Sequence, residues 1–230
     1  MSDYIIKTIQ SGVLETLQMT FFSALFSYLI GLPLGVLLYA TSKGKLLQNK
    51  GVNTTVGLLV NLLRSLPFLI LLVLLIPFTR FVVGTSIGTK ASIVPLTVGA
   101  VPIVARMVES SLLEVQPGII EAATAMGASP FHILVHFIIP EVMPSLLQGA
   151  AINVATVLGY SAMAGVIGGG GLGAIALQYG YYRYQKDVLW VTVGLLVLMV
   201  MIIQEAGNQV ALIVTNDIEN ARKVAESVIR

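Results

Sequence analysis

The chain has 230 residues, of which 56% are apolar, 10% are charged and none is cysteine, and its formal net charge is +2. This composition excludes a disordered chain, which needs low hydrophobicity and high charge, and a cysteine-stapled or cysteine-ligated metal protein. The small net charge also argues against a nucleic-acid partner. A mean hydropathy of +0.91 instead indicates a membrane protein with several spans.

Five apolar stretches are long enough to cross a bilayer as helices of about 20 residues. In chain order they cover about residues 17–40, 56–77, 91–107, 146–167 and 188–206. No stretch alternates apolar and polar residues over the length of a strand, so the pattern favours an all-α membrane protein. We predict a transmembrane domain over residues 1–217 and a cytoplasmic tail at residues 218–230.

The basic residues near the first span predict the orientation, because lysine and arginine in short loops collect on the cytoplasmic side. Lys43, Lys45 and Lys50 directly follow this span, and the tail after residue 217 carries further basic residues. We therefore expect the N-terminus outside and the C-terminus in the cytoplasm.

The connection between the third and fourth spans, about residues 108–145, is the longest and is unusually apolar for a cytoplasmic loop. Pro117-Gly118 predicts the start of a short helix with Glu121 in its first turn, where a carboxylate favours the helix dipole. Gly127 is placed to end that helix. Such a loop either packs on the membrane face of its own chain or offers a surface to a partner.

A second short helix is predicted to follow this glycine. Ser129-Pro130 is typical of an N-cap followed by proline at the first helical position. Pro140 and Pro144 are expected to stop the helix. The loop is thus predicted to be two short helices joined by a glycine elbow.

The residues of this loop resemble the signature loop of ABC importer permeases. Glu121, Ala122 and Ala123 are followed by Gly127 and, after nine residues, by Phe137-Ile138-Ile139-Pro140. The family pattern is Glu-Ala-Ala, three residues, Gly, nine residues, then Ile, any residue and Leu-Pro. The two departures, at residues 137 and 139, remain large and apolar.

This resemblance implies a type I ABC importer permease with five transmembrane helices and a coupling helix between the third and fourth. In that family the coupling helix docks into a groove on a separate ATPase subunit. The small side chains of Ala122, Ala123 and Ala125 would permit a close approach of that partner.

Further stretches resemble the methionine-importer branch of the same family: Arg64–Phe68, Pro77–Arg80 with Gly84–Gly88, Gly159–Met163, Gly168–Gly173 and Tyr179–Tyr181. The resemblance implies a homodimer in the bacterial cytoplasmic membrane, two ATPase subunits, and an external substrate-binding lipoprotein. It implies methionine of both hands as the substrate, ATP hydrolysis by the partner, and no catalytic residue, cofactor or metal in this chain.

Polar side chains form a stripe on the predicted fourth span. Asn153, Thr156, Tyr160 and Met163 recur at steps of three and four residues and fall within an arc of about 80°. Polar residues in a span are costly and usually face the bundle interior or a cavity. The stripe can line a substrate path or serve packing between helices, and the sequence leaves both interpretations open.

One arginine and one pair of glycines within the predicted spans have structural interpretations. Arg64 lies about 12 Å into the second span, where it can reach the inner surface or pair with Glu205. Gly31 and Gly35 flank Pro33 on the first span, which favours a kinked packing site between helices.

Several motifs suggest enzymes or metal sites but lack the context that such sites need. The spacing of Gly168, Gly170 and Gly173 fits a dinucleotide fingerprint without the required preceding strand, and no nucleotide-binding P-loop occurs. His132 and His136 have the spacing of two zinc ligands, but no further ligand converges with them. These patterns therefore predict neither ATP hydrolysis nor zinc binding by this chain.

Three other functions are compatible with parts of the sequence. A secondary transporter or channel needs ion-coordinating or proton-relay carboxylates in the spans, and only Glu205 qualifies, near a span end. An intramembrane hydrolase lacks a histidine base beside Ser161. A permease for polar amino acids, osmolytes or phosphonates shares the signature loop, so only the matches outside the loop speak against it.

Overall fold

The structure is a computed structural model that describes the backbone of residues 3–229 and the side chains of residues 3–218. Over the described residues the chain is 86% helical and has no strand, so the predicted all-α class is confirmed. Helices suit an apolar chain in lipid because they satisfy every backbone hydrogen bond within the segment.

The described part of the chain folds into eleven α-helices with three tighter or wider helical turns between them. The α-helices are α1 Asp3–Thr41, α2 Lys50–Ser65, α3 Phe68–Leu74, α4 Ile76–Val83, α5 Thr89–Leu113, α6 Pro117–Ala125, α7 Pro130–Ile133, α8 Ile139–Glu141, α9 Met143–Ala164, α10 Gly171–Ile175 and α11 Lys186–Ile229. π-helical turns cover Leu134–Ile138 and Ala176–Tyr181, and a 3₁₀ turn covers Gly165–Ile167.

Four long apolar helical stretches of the described chain correspond to four of the predicted spans: Asp3–Thr41, Thr89–Leu113, Met143–Ile167 and Lys186–Ile218. The predicted second span, residues 56–77, is not one continuous helix, because α2 and α3 meet at an angle of 104°. Leu66 is extended (φ −81°, ψ 128°) between them. The ring of Pro67 disfavours helical geometry at the preceding residue, which breaks the helix there.

Among the described helices, α1 and α5 pack against each other most extensively. Gly31 and Gly35 are buried on α1, and a methyl group at Gly31 would lie 2.7 Å from the Cβ of Val104 on α5. The missing side chains let the two helix backbones approach closely. The predicted packing role of these glycines is confirmed, with α5 of the same chain as the partner.

Hydrogen bonds and packing define two ends of the bundle. At the glycine end, the N–H of Gly88 donates to the carbonyl of Gly168 over 3.0 Å, and the N–H of Leu172 donates to the Thr16 hydroxyl over 2.9 Å. At the loop end, Leu46 packs with Tyr39 and with apolar residues of the segment 117–142. The connections after α1 and after α5 therefore lie at the same end.

The glycine run at residues 168–173 forms a closely packed turn. Gly168, Gly170 and Gly171 have φ values of +84°, +82° and +74°. The N–H of Gly171 donates to the Glu15 carboxylate over 2.7 Å, which fixes this turn to α1.

The helix α11 continues through the predicted boundary between residues 217 and 218 without a break and ends at Ile229. The division into a transmembrane domain and a cytoplasmic tail stays a prediction. The side chains after residue 218, among them the basic residues of the tail, lie outside the described residues.

Candidate functional site

The 117–142 loop contains the two helices that the sequence predicted. The first, α6, begins at Pro117 and ends at Ala125. Glu121 is exposed, but it is the fifth helical residue, so its predicted place in the first turn is wrong. The dipole acts mainly over the first turn, and Glu121 is therefore available for a contact at the surface.

A left-handed glycine ends α6 and turns the chain. Gly127 has φ +79°, and the N–H groups of Gly127 and Ala128 donate to the carbonyls of Thr124 and Ala123 over 2.9 and 3.1 Å. These bonds satisfy the last carbonyls of the helix in the manner of a glycine C-cap. Ser129 then accepts a hydrogen bond from the N–H of His132 over 3.3 Å and caps α7.

The helix that starts at Pro130 does not stop at Pro140, contrary to the prediction. A π-helical turn over Leu134–Ile138 leads into α8, where Pro140 occupies the first turn and is exposed. Pro144 similarly lies in the first turn of α9. Proline lacks an N–H donor, and in a first turn that donor has no partner within the helix, so the chain continues helically.

The inner side of the loop packs on the body of the same chain. Ala123, Ile133 and Ile138 are at most 1% exposed. They share one cluster with Val104, Val108 and Leu112 of α5. The predicted small-residue face is therefore divided, because Ala123 faces the body while Ala122 and Ala125 are exposed.

The outer side of the loop carries large apolar side chains. Met126 is 70% exposed and Phe131 is 74% exposed, beside the exposed Glu121 and Ala122. We call these four residues the loop face. An apolar surface of this kind at a protein end suits a contact with another protein.

The two histidines of the loop stack on each other. The rings of His132 and His136 have centroids 4.2 Å apart and an interplanar angle of 20°. The described residues contain no group of three or more histidine, cysteine, aspartate or glutamate side chains that could hold a metal ion.

The structure places the polar stripe of α9 in two different environments. Asn153 is 1% exposed, and its amide donates to the hydroxyl of Ser27 on α1 over 3.4 Å. Thr156 and Tyr160 line a cavity on another side of the helix, and Met163 is 44% exposed. An arc of about 80° extends beyond the part of α9 that packs on α1, so one stripe includes both buried and accessible side chains.

The cavity beside the bend between α2 and α3 has a volume of about 330 Å³. Its polar lining consists of Arg64, Thr156 and Tyr160, and its apolar lining comes from α2, α3, α5 and the bend. The Arg64 guanidinium and the Tyr160 hydroxyl have no hydrogen-bond or ion-pair partner among the residues that the structure describes. The Thr156 hydroxyl donates to the carbonyl of Ile152 over 2.8 Å.

An aromatic stack forms one wall of this cavity. The rings of Phe68 and Tyr160 are nearly parallel, with an interplanar angle of 5° and centroids 4.0 Å apart. A methyl group at Gly99 would lie 3.1 Å from the Phe68 ring, so the glycine lets this ring lie against α5. The stack thereby joins α3, α5 and α9 at one point.

Sequence reasoning singled out Thr156, Tyr160 and Arg64 but missed that they meet. It named Phe68 only as part of a resembling stretch, and it missed Gly99. Of the two alternatives for Arg64, the pair with Glu205 is not found among the described residues, where the Glu205 carboxylate accepts a hydrogen bond from Gln209 over 2.6 Å. The one available signal was the Leu66-Pro67 step, which predicts a break in the second span.

Comparisons with known proteins give the chain a family. The MetI protein of Vibrio cholerae, described as a probable D-methionine transport system permease, is 48% identical over 194 residues, or 84% of this chain and 86% of the relative. The D-methionine transport system permease MetI of Escherichia coli K12 is 53% identical over 165 residues, or 72% of this chain and 76% of the relative.

Solved structures agree with these relatives. A chain of the inward-facing MetNI methionine ABC transporter has a TM-score of 0.91 and 51% identity, with coverage of 93% of this chain and 99% of that chain. An amino acid ABC transporter solved with histidines has a TM-score of 0.75 at 22% identity, which supports the fold alone. A family model described as the binding-protein-dependent transport system inner membrane component matches residues 28–206. The chain belongs to this family of inner membrane components of binding-protein-dependent transport systems, with a type I ABC permease fold.

Proposed function

We propose that this chain is the membrane-spanning permease of an ATP-driven importer that carries methionine of both hands across the cytoplasmic membrane. The observation that carries the proposal is the 53% identity to a D-methionine transport permease, together with a TM-score of 0.91 to a methionine ABC transporter chain. The chain is a transport subunit and not an enzyme, and a separate subunit hydrolyses ATP.

The working assembly contains two copies of this chain, two ATPase subunits and an external substrate-binding lipoprotein. One observation that supports partners and lipid is the exposure of α11, where only 11% of the most apolar window in Lys186–Ile218 is buried. A surface this apolar needs lipid or a second protein to cover it. A path between two copies also gives the substrate a route that a single bundle of few helices lacks.

The chain crosses the membrane five times, with the bent segment of α2, α3 and α4 as the second crossing. Support comes from the two ends of the bundle, because residues 42–49 lie at the loop end while Gly88 bonds Gly168 at the glycine end. The three lysines between residues 43 and 50 favour the cytoplasm for the loop end. The N-terminus is then outside and the C-terminus is inside.

The 117–142 loop couples ATP hydrolysis to transport. Its residues Glu121, Ala122, Ala123, Gly127 and Pro140 shape the segment, and the loop face of Glu121, Ala122, Met126 and Phe131 enters the groove of the ATPase. Because Ile133 and Ile138 are buried against α5, a displacement of the loop is passed directly to that helix. Alternating access follows when closure of the two ATPases moves the two loops.

The substrate path runs beside α9, where Thr156, Tyr160 and Met163 are accessible. Asn153 holds α9 against α1 through Ser27 and so fixes the orientation of the stripe. The path holds few charges, which suits release of the substrate after each cycle. Selectivity for methionine then lies largely in the external binding protein.

The test is uptake of radiolabelled methionine by liposomes that contain this chain, its ATPase and its binding protein. We expect uptake that needs ATP and is blocked by excess unlabelled L- or D-methionine. Omission of the ATPase is the control and should abolish uptake. Uptake without ATPase, or uptake blocked by an osmolyte or a polar amino acid but not by methionine, would contradict the proposal.

A further inference from the structure

We propose that the cavity beside the bend between α2 and α3 is a subsite that binds the α-carboxylate of the amino-acid substrate through Arg64 and Tyr160. The inference rests on the proposed function and identifies a site in the path where the substrate binds during transport. It also explains how one permease accepts both hands of an amino acid.

The two arginines on adjacent helices differ in their hydrogen-bond partners. The Arg106 guanidinium bonds the Glu109 carboxylate over 2.6 Å, the Asn61 side chain over 2.9 Å and the carbonyl of Gly57 over 3.2 Å. Arg64 has no such partner among the described residues. Its side chain is exposed in the single chain and lines the cavity. Ionisable residues within predicted spans normally face the bundle interior or a water-filled cavity rather than lipid.

A second free donor lies in the same cavity. The Tyr160 ring is fixed by its stack on Phe68, with 4.0 Å between centroids, so its hydroxyl is held in one place. That hydroxyl also lacks a partner among the described residues. A guanidinium and a phenol hydroxyl together offer the charge and the directed donors that a carboxylate prefers.

The remaining lining fits an apolar side chain. Leu63, Phe68, Leu71 and Ile103 face the cavity, whose volume of about 330 Å³ is of the size that small ligands occupy. None of the residues that line it is an aspartate or glutamate. The α-ammonium group of the substrate therefore meets no opposite charge in this cavity.

This arrangement contacts only two substituents of the α-carbon of the substrate, the carboxylate and the side chain. A site distinguishes two mirror-image amino acids only when it fixes a third substituent. With the carboxylate and the side chain held, exchange of the ammonium group and the hydrogen changes no strong contact. L- and D-methionine should therefore bind with nearly equal affinity.

The test uses the natural absence of cysteine in this chain. Thr156→Cys places one thiol in the cavity lining of the full permease–ATPase complex in liposomes. The rate of its modification by a small water-soluble thiol reagent is followed by mass spectrometry of this chain. Bound ligand should slow the modification, and the concentration for half-protection reports the affinity.

We expect protection by L-methionine and D-methionine at similar concentrations. Methylthiobutanoate, which keeps the carboxylate but lacks the ammonium group, should also protect. Methylthiopropylamine, which lacks the carboxylate, should not. Strong preference for one hand, or equal protection by the amine, would overturn the subsite.

Substitutions of Arg64 and Tyr160 test whether these residues bind the protecting ligand. Arg64→Gln should raise the half-protecting concentration by about ten- to hundredfold, because it removes a hydrogen bond to a charged group. Tyr160→Phe keeps the stack and should raise it by a factor of about two to ten. Arg80→Gln is the matched control, since Arg80 is exposed like Arg64 but does not line the cavity, and it should change nothing.

Unchanged protection in Arg64→Gln would overturn the proposal. If Arg64→Gln does not fold, the ligand series in the Thr156→Cys complex, which retains Arg64, decides the question. The failure of the subsite and that of the proposed function are distinguishable. If the complex takes up methionine but ligands with and without a carboxylate protect the cysteine equally, only the subsite proposal is wrong. No methionine uptake by the wild-type complex overturns both.

Discussion

The 117–142 loop and the cavity beside the bend between α2 and α3 differ in how far apart along the chain their residues lie. The shape of the loop comes from neighbours along the chain, since Gly127 and Ser129 form hydrogen bonds with residues three or four positions away. The cavity brings together Arg64, Gly99 and Tyr160 from three separate helices. Local chemistry therefore shapes the proposed coupling surface, while helix packing alone creates the proposed subsite.

The comparison also holds for the two sides of the loop. Its inner side belongs to the core of this chain, and its outer side is exposed. One helix thus carries a structural contact and a candidate partner contact on opposite faces. Substitutions on each side of the loop can separate those roles, and cysteines on α9 can separate its packed part from its open part.

The largest expected effect comes from a charge on the inner side of the loop. Ala123→Asp buries a carboxylate at a position that is 0% exposed, which should destabilise the fold by several kcal/mol. The matched variant Ala122→Asp places the same charge on the exposed side and should leave the thermal unfolding midpoint of the permease nearly unchanged. Instead, Ala122→Asp should reduce copurification of the ATPase. Equal unfolding midpoints for the two variants would contradict the division of the loop into two sides.

The glycine elbow should give the next largest effect. Gly127→Ala forces a side chain into a left-handed conformation at φ +79°, at a cost of about 1–2 kcal/mol. Gly118→Ala is the control, because space is open around both glycines but only Gly127 has a positive φ. Uptake per ATP hydrolysed should fall in the first variant and not in the second. Identical coupling in both variants would show that the elbow is dispensable.

Cysteine accessibility separates the two parts of the α9 stripe. Cysteine at Asn153, which is 1% exposed, should react with water-soluble reagents more than about tenfold more slowly than cysteine at Thr156, because reaction needs a local opening. Mass spectrometry of each single-cysteine permease measures the rates. Similar rates at both positions would mean that the stripe acts as one surface and that its division is wrong.

The smallest effect is expected at the aromatic wall. Gly99→Ala adds a methyl group 3.1 Å from the Phe68 ring, which must shift by a few tenths of an ångström, at a cost of about 1 kcal/mol. The thermal unfolding midpoint should fall slightly, and the reaction rate of a cysteine at residue 156 should change. Gly194→Ala on the exposed side of α11 has open space and is the control. An unchanged rate at residue 156 would show that the stack does not shape the cavity.

Individual residues show how much of the fold and site was predictable. The helices of the loop, the Gly127 elbow and the Ser129 cap follow from short-range rules and were predicted. Two local predictions were wrong: Glu121 lies beyond the first turn, and Pro140 does not end its helix. The π-helical turn at Leu134–Ile138 caused the second error, because it changes the hydrogen-bond register before the proline and leaves no sequence pattern of its own.

The sequence by itself determined the all-helical membrane class, four of the long spans and the loop with its glycine elbow. These features depend on apolar length and on residues that favour or end helices, and both act over a few turns of chain. Only the tertiary structure decided that α2 and α3 meet at 104°, that Ala123 faces inward, and that Arg64 and Tyr160 line the same cavity. The physical reason is that these features depend on the angles at which separate helices pack, and such angles arise from contacts between residues far apart in the chain.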